Sequence, residues 1–451
     1  MTLKTVHLPL GKEWLAVGLE PVAAARIGNV VFTSGVPGID LSTGRLGQGA
    51  EKQFELAFDN LVALLKMAGA GPEAIGLLTV FIPDRTNRIH INKDWLRLFP
   101  DGDRPARKTN QAPLPKGMEV QLMAAAVVGA RREPLEIRGL SHKDPLPMGA
   151  RLGEFVFSSV IAPEDPKDGK LVAGALRQVD RCFENMKLMM KAAGGDDSGI
   201  NHAWVFMKDF AHQPAMVERW VNDFPTFGDR PARKTVPYDL AGDSQIQVQL
   251  TGHLGGTRKN YEVPGVGHDD PIPMGSSIGP LLQSSGMFGI DPATGKRVDG
   301  LEAQLEIGLR NVRSLLEQAR TSTDAVAHLT VMLQDFADAP RIADALAKVF
   351  PDAERAPAVK FVNYRMPQHW RVQFHVTAIM GGRNCQAVPG GGMPRVPVTI
   401  WAIAALVAWL KARTILSMSL EAALACCATL MLATISRWGI RTTLAWMVIT
   451  I

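Results

Sequence analysis

An arginine-containing segment that occurs twice is the first feature of the sequence that could carry chemistry. Residues 102–109 read GDRPARKT and recur letter for letter at 228–235, an offset of 126 residues. A planar guanidinium can hold a carboxylate through two parallel hydrogen bonds, so a pair of such segments could bind organic anions. Arginines flanked by Asp and Lys can equally lie on a solvated surface or form local salt bridges. We expect Arg104 and Arg230 to be structural.

The repeated segment belongs to a longer threefold repeat. A further offset of 126 residues leads to APAVK at 356–360, a degenerate third copy, and other landmarks recur in step. A connecting signature, HxDPxPMG, occurs at 142–149 and 268–275 and has no clear equivalent before the first copy. Units of this size are small domains, each with its own core. We predict domains at 15–135, 142–256 and 268–382, followed by a tail at 383–451.

Hydrophobic patterning within one unit predicts the elements that must position these arginines. Residues 29–34 and 77–82 are short and β-branched, which indicates strands. Residues 52–68 carry apolar side chains at helical spacing and end at a glycine, and 88–98 predict a second helix. Two further strands close the unit, the last at 118–127. The resulting order ββαβαββ predicts an α+β fold with two helices on one face of a mixed sheet.

Several motifs together make each unit resemble the RidA/YjgF family of reactive-intermediate (enamine/imine) deaminases. They are a VxFTSG strand at 30–35, TVFxxD at 79–84, PAR at 105–107, LPKG at 114–117 and VQLxA at 120–124. The resemblance implies chorismate-mutase-like domains that form trimers, with sites in the clefts between protomers. Three tandem copies then imply an intramolecular pseudo-trimer within a monomeric chain.

The resemblance also assigns site residues. Arg107 and Arg233 occupy the position that binds the substrate carboxylate, whereas Val359 in the third copy cannot bind an anion. The family commonly places a water-polarising glutamate in the last strand. We assign Gln121, Gln249 and Gln373 to that position, where an amide can hydrogen-bond a water but cannot take its proton. We therefore expect at most two working sites.

Further substrate-binding positions follow from the same resemblance. Thr109 and Thr235 stand where some relatives carry cysteine, and Asn92 matches a site asparagine that the later copies lack. Ser34 and Ser159 match the serine that ends the early strand, where either a ligand contact or a turn hydrogen bond is expected.

The expected function is hydrolytic deamination of small enamine or imine carboxylates, such as 2-aminoacrylate, to a keto acid and ammonia at inter-domain clefts. The alternative is a non-catalytic scaffold that binds a carboxylate metabolite or a partner protein. The ribonuclease activity suggested for some relatives is a weaker third reading. The first 382 residues carry as many acidic as basic side chains, which argues against nucleic-acid binding. No metal and no cofactor are expected, since no ligand-spacing motif is present.

The tail differs in composition from the rest. Residues 414–435 are apolar and long enough to span a bilayer, with Glu421 as their one charge. A membrane anchor, a fused or frame-shifted extension and an added helical hairpin remain open. Cys182 is the only cysteine before residue 383, which favours a reducing, cytoplasmic compartment, with membrane association through the tail alone.

Overall fold

The computed structural model describes residues 3–8, 23–367 and 369–381. Residues 1–385 form one compact unit. The predicted tail at 383–451, including 414–435, lies outside the described residues, so its three interpretations stay open. Within the described part of the chain, no helix combines the length and apolarity that crossing a membrane requires.

The described chain forms three successive modules, each built on one mixed sheet. The first module contains β1 (Leu3–His7), β2 (Ala23–Ile27), β3 (Val30–Thr33), β4 (Val36–Pro37), β5 (Ile39–Asp40), β6 (Arg45–Leu46), α1 (Gly49–Met67), β7 (Ile75–Ile82), α2 (Arg88–Leu98), β8 (Ala106–Gln111) and β9 (Gln121–Val127). Its sheet has the order β1-β2-β3-β9-β7-β8, with β4 also beside β9. Strands β7 and β8 are parallel, and the other pairs are antiparallel.

The second and third modules repeat this arrangement. The second contains β10 (Arg132–Leu135), β11 (Gly149–Leu152), β12 (Phe155–Ser158), α3 (Ala175–Ala192), β13 (Ile200–Met207), α4 (Gln213–Asp223), β14 (Ala232–Pro237) and β15 (Ile246–His253). The third contains β16 (Lys259–Tyr261), β17 (Gly275–Ile278), β18 (Leu281–Ser284), β19 (Ile290–Asp291), β20 (Lys296–Arg297), α5 (Leu301–Gln318), β21 (Val326–Leu333), α6 (Ala339–Val349), β22 (Ala358–Val362) and β23 (Val372–Ile379). Their sheet orders are β10-β11-β12-β15-β13-β14 and β16-β17-β18-β23-β21-β22.

Each long helix packs one apolar face on its own sheet. In α1 the predicted stripe is buried, and Gly69, two residues after the last helical residue Met67, has a φ of 72° in the left-handed region. Because side chains alternate across a strand, successive residues face opposite sides of the sheet. Ala24 and Val31 thus join the core under α1, whereas Ala25 and Val30 join a cluster on the other face.

That other face is where the modules meet. One buried apolar cluster draws residues from all three sheets: Ala25, Ile27, Val30, Ala106, Ala125, Val127, Ala150, Leu152, Phe155, Phe157, Leu281, Ala327, Ala358 and Ile379. A second cluster joins Phe81, Phe206 and Met332, which hold the same strand position in the three modules. The modules therefore cover the sheet faces that the helices leave open, as the patterning predicts.

The sheets extend beyond the predicted domain ranges. Residues 132–135, placed in the first domain, pair with β11 of the second sheet. Likewise β1 lies before the predicted start at residue 15, and β16 before the predicted start at 268. These strands are three to five residues long and carry no repeated motif. The sequence pattern therefore offered no signal for them.

Candidate functional site

A cleft of about 540 Å³ lies where the first module meets the second, and we call it the first cleft. Arg107, Lys108 and Thr109 of β8 form one wall. Ile82, Arg85, Arg88 and Gln111 of the first module also line it, and residues of the connecting segment 141–148 and of the second module form the remaining walls. The cleft is therefore lined from both sides of the module junction.

Arg107 is buried in the wall of the first cleft. Its guanidinium carbon lies 4.7 Å from the centre of the Trp95 ring, and Nη1 donates to Oδ1 of Asn92 at 3.0 Å. Nη2 forms an ion pair with Asp144 Oδ2 at 3.0 Å. Its backbone N–H donates across the junction to Oγ of Ser159 at 3.0 Å. Burial lowers the pKa of Arg107 to about 10, so the side chain stays charged at neutral pH.

Asp144 is a site residue that sequence reasoning missed, although it belongs to the repeated connecting signature. It accepts hydrogen bonds from Arg88 at 2.8 Å and from Asn92 at 3.2 Å. Burial alone would raise the pKa of Asp144, but the Asn92 bond and the charges of Arg107 and Arg88 lower it. The Asp144 carboxylate thus already uses part of the hydrogen-bonding capacity of the Arg107 guanidinium.

A second cleft of about 600 Å³ lies where the second module meets the third. Arg233 and Thr235 of β14 line it, together with the connecting residues 267–270 and the loop residues 365–367. Arg233 pairs with Asp270, which also accepts from Nε2 of Gln213 at 3.1 Å. The arrangement around Arg107 therefore recurs around Arg233. In the second cleft Gln213 donates to the aspartate of the connecting segment, whereas in the first cleft Arg88 and Asn92 donate to it.

The second cleft contains buried donors that have no partner. Arg233 is 1% exposed and lies 5.0 Å from the Trp220 ring, yet its Nε and Nη1 atoms make no hydrogen bond. Thr235 Oγ1 and His268 Nε2 are also buried without a partner. Unsatisfied buried donors are rare in folded proteins and carry a free-energy penalty. Nε and Nη1 of Arg233 could therefore donate to an acceptor bound in this cleft.

Histidines of the connecting segments line both clefts and were not predicted as site residues. Burial lowers the pKa of His142 to about 4 and that of His268 to about 3. The nearby Arg107 lowers the former further, and Lys234 and Arg233 the latter. Both imidazoles are therefore neutral at pH 7. Their recurrence 126 residues apart in the signature was the signal that could have identified them.

A lysine follows each arginine and contacts a glutamine of the next module. Lys108 is buried and Lys234 is half-buried. Lys108 Nζ donates to Gln247 Oε1 at 3.4 Å, and Lys234 Nζ to Gln373 Oε1 at 2.5 Å. Burial lowers the pKa of Lys108 to about 7 and that of Lys234 to about 8. Both pairs line their clefts.

The glutamine assignment from the sequence needs correction. Strand pairing places Gln247, not Gln249, at the position of Gln121 and Gln373, since these three residues face Phe206, Phe81 and Met332. Gln249 lines a small central cavity of about 80 Å³ among the three sheets. The error has a plain origin, because glutamines alternate at 245, 247 and 249 and leave the register ambiguous.

Gln121 also lies away from the Arg107 cleft. Its side chain accepts from Lys360 Nζ at 2.5 Å, at the junction between the third module and the first. Val359 stands there in place of an arginine, and neither Gln121 nor Lys360 lines the first or the second cleft. Of the four predicted catalytic residues, Arg107 lines the first cleft and Arg233 lines the second, whereas the two glutamines line neither. Gln373, the third-module residue at the position of Gln121, also lines the second cleft.

The predicted substrate-binding residues fall into two groups. Thr109 and Thr235 line the clefts, whereas Asn92 lies behind Arg107 as a hydrogen-bond partner. Ser159 accepts from the Arg107 backbone and donates to Pro147 O at 2.7 Å. Ser34 bonds the backbone of Ala23 at 2.7 and 2.9 Å, which ties two strands together. The serines therefore act on the backbone and do not line either cleft.

Comparisons with known proteins agree with this architecture. A family model described as "Endoribonuclease L-PSP" matches residues 20–128 and 274–380, in the first and third modules. A "RutC family protein" of Haemophilus influenzae is 30% identical over 110 residues, which cover 24% of this chain and 85% of that protein. The mouse "2-iminobutanoate/2-iminopropanoate deaminase" is 32% identical over 108 residues, or 24% of this chain and 79% of the relative. A "RutC family protein" of Aquifex aeolicus is 31% identical over 105 residues, or 22% and 84%. The chain belongs to the RidA/YjgF family.

Proposed function

We propose that the chain is an intramolecular pseudo-trimer of RidA-type domains whose two clefts hydrolyse small enamine or imine carboxylates to a keto acid and ammonia. The cyclic contacts support the pseudo-trimer. Lysines of the first, second and third modules contact glutamines of the second, third and first modules, respectively. The second module lies outside the matched ranges, but its strand order equals that of the third.

One observation carries the substrate class. Each cleft presents a buried, charged guanidinium backed by a tryptophan ring, and Arg233 keeps two donors without partners. Such a group binds a carboxylate through two hydrogen bonds more strongly than an exposed arginine would. The name of the mouse relative, a deaminase of 2-imino acids, agrees with a substrate that carries a carboxylate next to an imine.

The chemistry would follow from this anchor. With its carboxylate held by Arg107 or Arg233, the imine carbon of the substrate is oriented within the cleft. Gln247 or Gln373 can orient the attacking water through its amide, although an amide takes no proton. Addition of water and loss of the amino group then produce the keto acid and ammonia.

A specific observation favours the alternative, a binding scaffold without turnover. Asp144 and Asp270 already pair with the two arginines, and the last strand carries no carboxylate base at the equivalent positions. A site of this kind could hold a ligand and release it unchanged. Turnover distinguishes the two functions.

The test uses the full chain and 2-aminoacrylate generated in situ from serine by a dehydratase. We expect disappearance of the enamine to accelerate with the wild type, and the acceleration to be lost in the Arg107→Met, Arg233→Met double variant. Arg104→Met is the matched control. That arginine lies in the same segment but donates to the carbonyls of Phe99 and Pro100, outside the cleft lining. Folded wild type without acceleration would contradict deamination of this substrate.

A further inference from the structure

Each cleft is lined by a lysine that directly follows the arginine proposed to hold the substrate carboxylate. Lys108 follows Arg107 directly in β8, and both side chains line the first cleft. Lys234 follows Arg233 in β14 and lines the second. A small 2-oxo or 2-imino acid spans only a few bonds from its carboxylate to the reactive carbon. The side chains of consecutive strand residues leave opposite faces of the strand, yet both residues border the same cleft. A substrate whose carboxylate is held by the arginine therefore lies in a cleft that the amine also borders.

Among the residues that the structure describes, no carboxylate pairs with Lys108. Its Nζ lies 4.1 Å from the centre of the Phe206 ring and 5.4 Å from that of Tyr238, and its hydrogen bond is to the neutral Gln247. A neutral amine can donate one hydrogen to a glutamine oxygen and keep its lone pair for attack. The contacts of Lys108 are thus compatible with the uncharged form.

Lys234 resembles Lys108 in its hydrogen bond to a glutamine, but the charge of Asp270 acts on Lys234 and partly offsets the effect of burial on its pKa. Its amine donates to the neutral Gln373, and Gly286 leaves open the space beside it, since an added Cβ would lie 3.2 Å from Nζ. Burial holds the pKa of both lysines close to neutrality, at about 7 and about 8. A desolvated lysine of this kind is the usual source of an amine nucleophile in proteins.

We propose that Lys108 and Lys234 are nucleophiles that form covalent imines with small 2-oxo acids and 2-imino acids in the two clefts. The substrate class rests on the proposed function, whereas imine formation with a 2-oxo acid does not require turnover. No enzyme cofactor or oxidant is needed, because imine exchange and hydrolysis leave every oxidation state unchanged.

The reaction balances in two stages. The lone pair of lysine Nζ attacks the imine carbon, a C–N bond forms, and the proton lost by Nζ passes to the substrate nitrogen. The second proton of Nζ then passes to the same nitrogen, the bond from carbon to that nitrogen breaks, and ammonia leaves the lysine-bound imine behind. Water adds to this imine, the bond to Nζ breaks, and the keto acid and the free amine are released. This route provides covalent catalysis in a site whose last strand carries glutamine in place of a carboxylate base.

Reductive trapping of the full-length protein tests the proposal. Pyruvate with sodium cyanoborohydride at neutral pH should add one reduced pyruvate to Lys108 and one to Lys234, located by peptide mass mapping. Lys360 is the internal control, since it is a buried lysine in the same repeat position that lines neither cleft. Lys93 is the surface control, because its pKa is raised by the hydrogen bond and charge of Glu51. We expect labelling of Lys108 and Lys234 to exceed that of Lys93 at least about tenfold, as their larger amine fraction requires, and to exceed that of Lys360 because Lys360 lines neither cleft.

Substitution variants complete the test. Lys108→Met, Lys234→Met should lose the trapped adducts and the acceleration of 2-aminoacrylate loss, whereas Lys360→Met should keep both. Circular dichroism and the thermal midpoint establish that each variant is folded. If Lys108 and Lys234 are labelled no more than Lys93 in folded wild type, the proposal is overturned. Retained turnover in the double variant would also overturn it and leave the deaminase function standing. Adducts without turnover would uphold imine formation and contradict deamination.

Discussion

At the scale of single residues, each cleft contains an arginine–aspartate ion pair beside space for a ligand. Arg107 pairs with Asp144 and Arg233 with Asp270, and all four line the clefts. The sequence left open whether each arginine forms a local salt bridge or binds an anion. In the structure, the arginine proposed to bind the anion also forms the salt bridge. An incoming carboxylate must share or replace the aspartate at each guanidinium.

Removal of this internal carboxylate should strengthen substrate binding. In Asp144→Asn, Asp270→Asn the arginine charge is less compensated, so we expect KM for a carboxylate substrate to fall about tenfold, equivalent to about 1.4 kcal/mol. Steady-state kinetics measures this change. Asp59→Asn is the control, since Asp59 forms a half-exposed ion pair with Arg97 at 2.9 Å outside the cleft lining. An unchanged or higher KM in the double variant would mean that the aspartates do not compete with substrate.

At the scale of elements, the helices and the central strands could be predicted, whereas the edge strands β1, β10 and β16 could not. The stripe of α1, the bounds of α2 at 88–98 and the parallel strand after it follow from periodicity and turn residues. The connecting segments escaped prediction as site elements, because proline-rich joints show no period. Their recurrence in the sequence indicated a function, but only the fold shows that they line the clefts.

The connecting segment depends on a glycine that contacts the next turn. Gly139 has a φ of 84°, and an added Cβ would lie 1.7 Å from the carbonyl oxygen of Pro166. We expect Gly139→Ala to lower the free energy of unfolding by about 3 kcal/mol through overlap and backbone strain. Gly129→Ala is the control, since Gly129 has a φ of 79° and open space around it, and should lose about 1 kcal/mol.

Urea titrations of both glycine variants provide the measurement. The segment after Gly139 carries His142 and Asp144, so its displacement should also disturb the first cleft. Equal losses of stability in the two variants would show that contact with Pro166 does not position the segment.

At the scale of the whole molecule, three modules meet at three junctions, but only two of these junctions carry the arginine. Around the centre, position 77 in β7 is leucine, whereas the equivalent positions are His202 and His328. Burial lowers the pKa of both histidines to about 3. The centre of the molecule therefore contains imidazoles that stay neutral when folded.

These histidines predict a loss of stability in acid. Between pH 6.5 and about 3, the unfolded chain binds protons on His202 and His328 that the folded chain does not. Unfolding therefore becomes easier as pH falls, by on the order of 1 kcal/mol per pH unit for each histidine. The double variant His202→Leu, His328→Leu, which copies the first module, should flatten the dependence of the urea midpoint on pH. An unchanged slope in the folded variant would contradict the neutral, buried state of these side chains.

The most direct measurement of the central claim is the number of carboxylate ligands that one full-length chain binds. Isothermal titration with pyruvate should give two sites for the wild type, one for Arg107→Met, one for Arg233→Met and none for the double variant. Arg97→Met, at an exposed ion pair, should keep both sites. Three sites in the wild type, or binding that survives loss of both arginines, would contradict an account in which two arginine-anchored clefts carry the function.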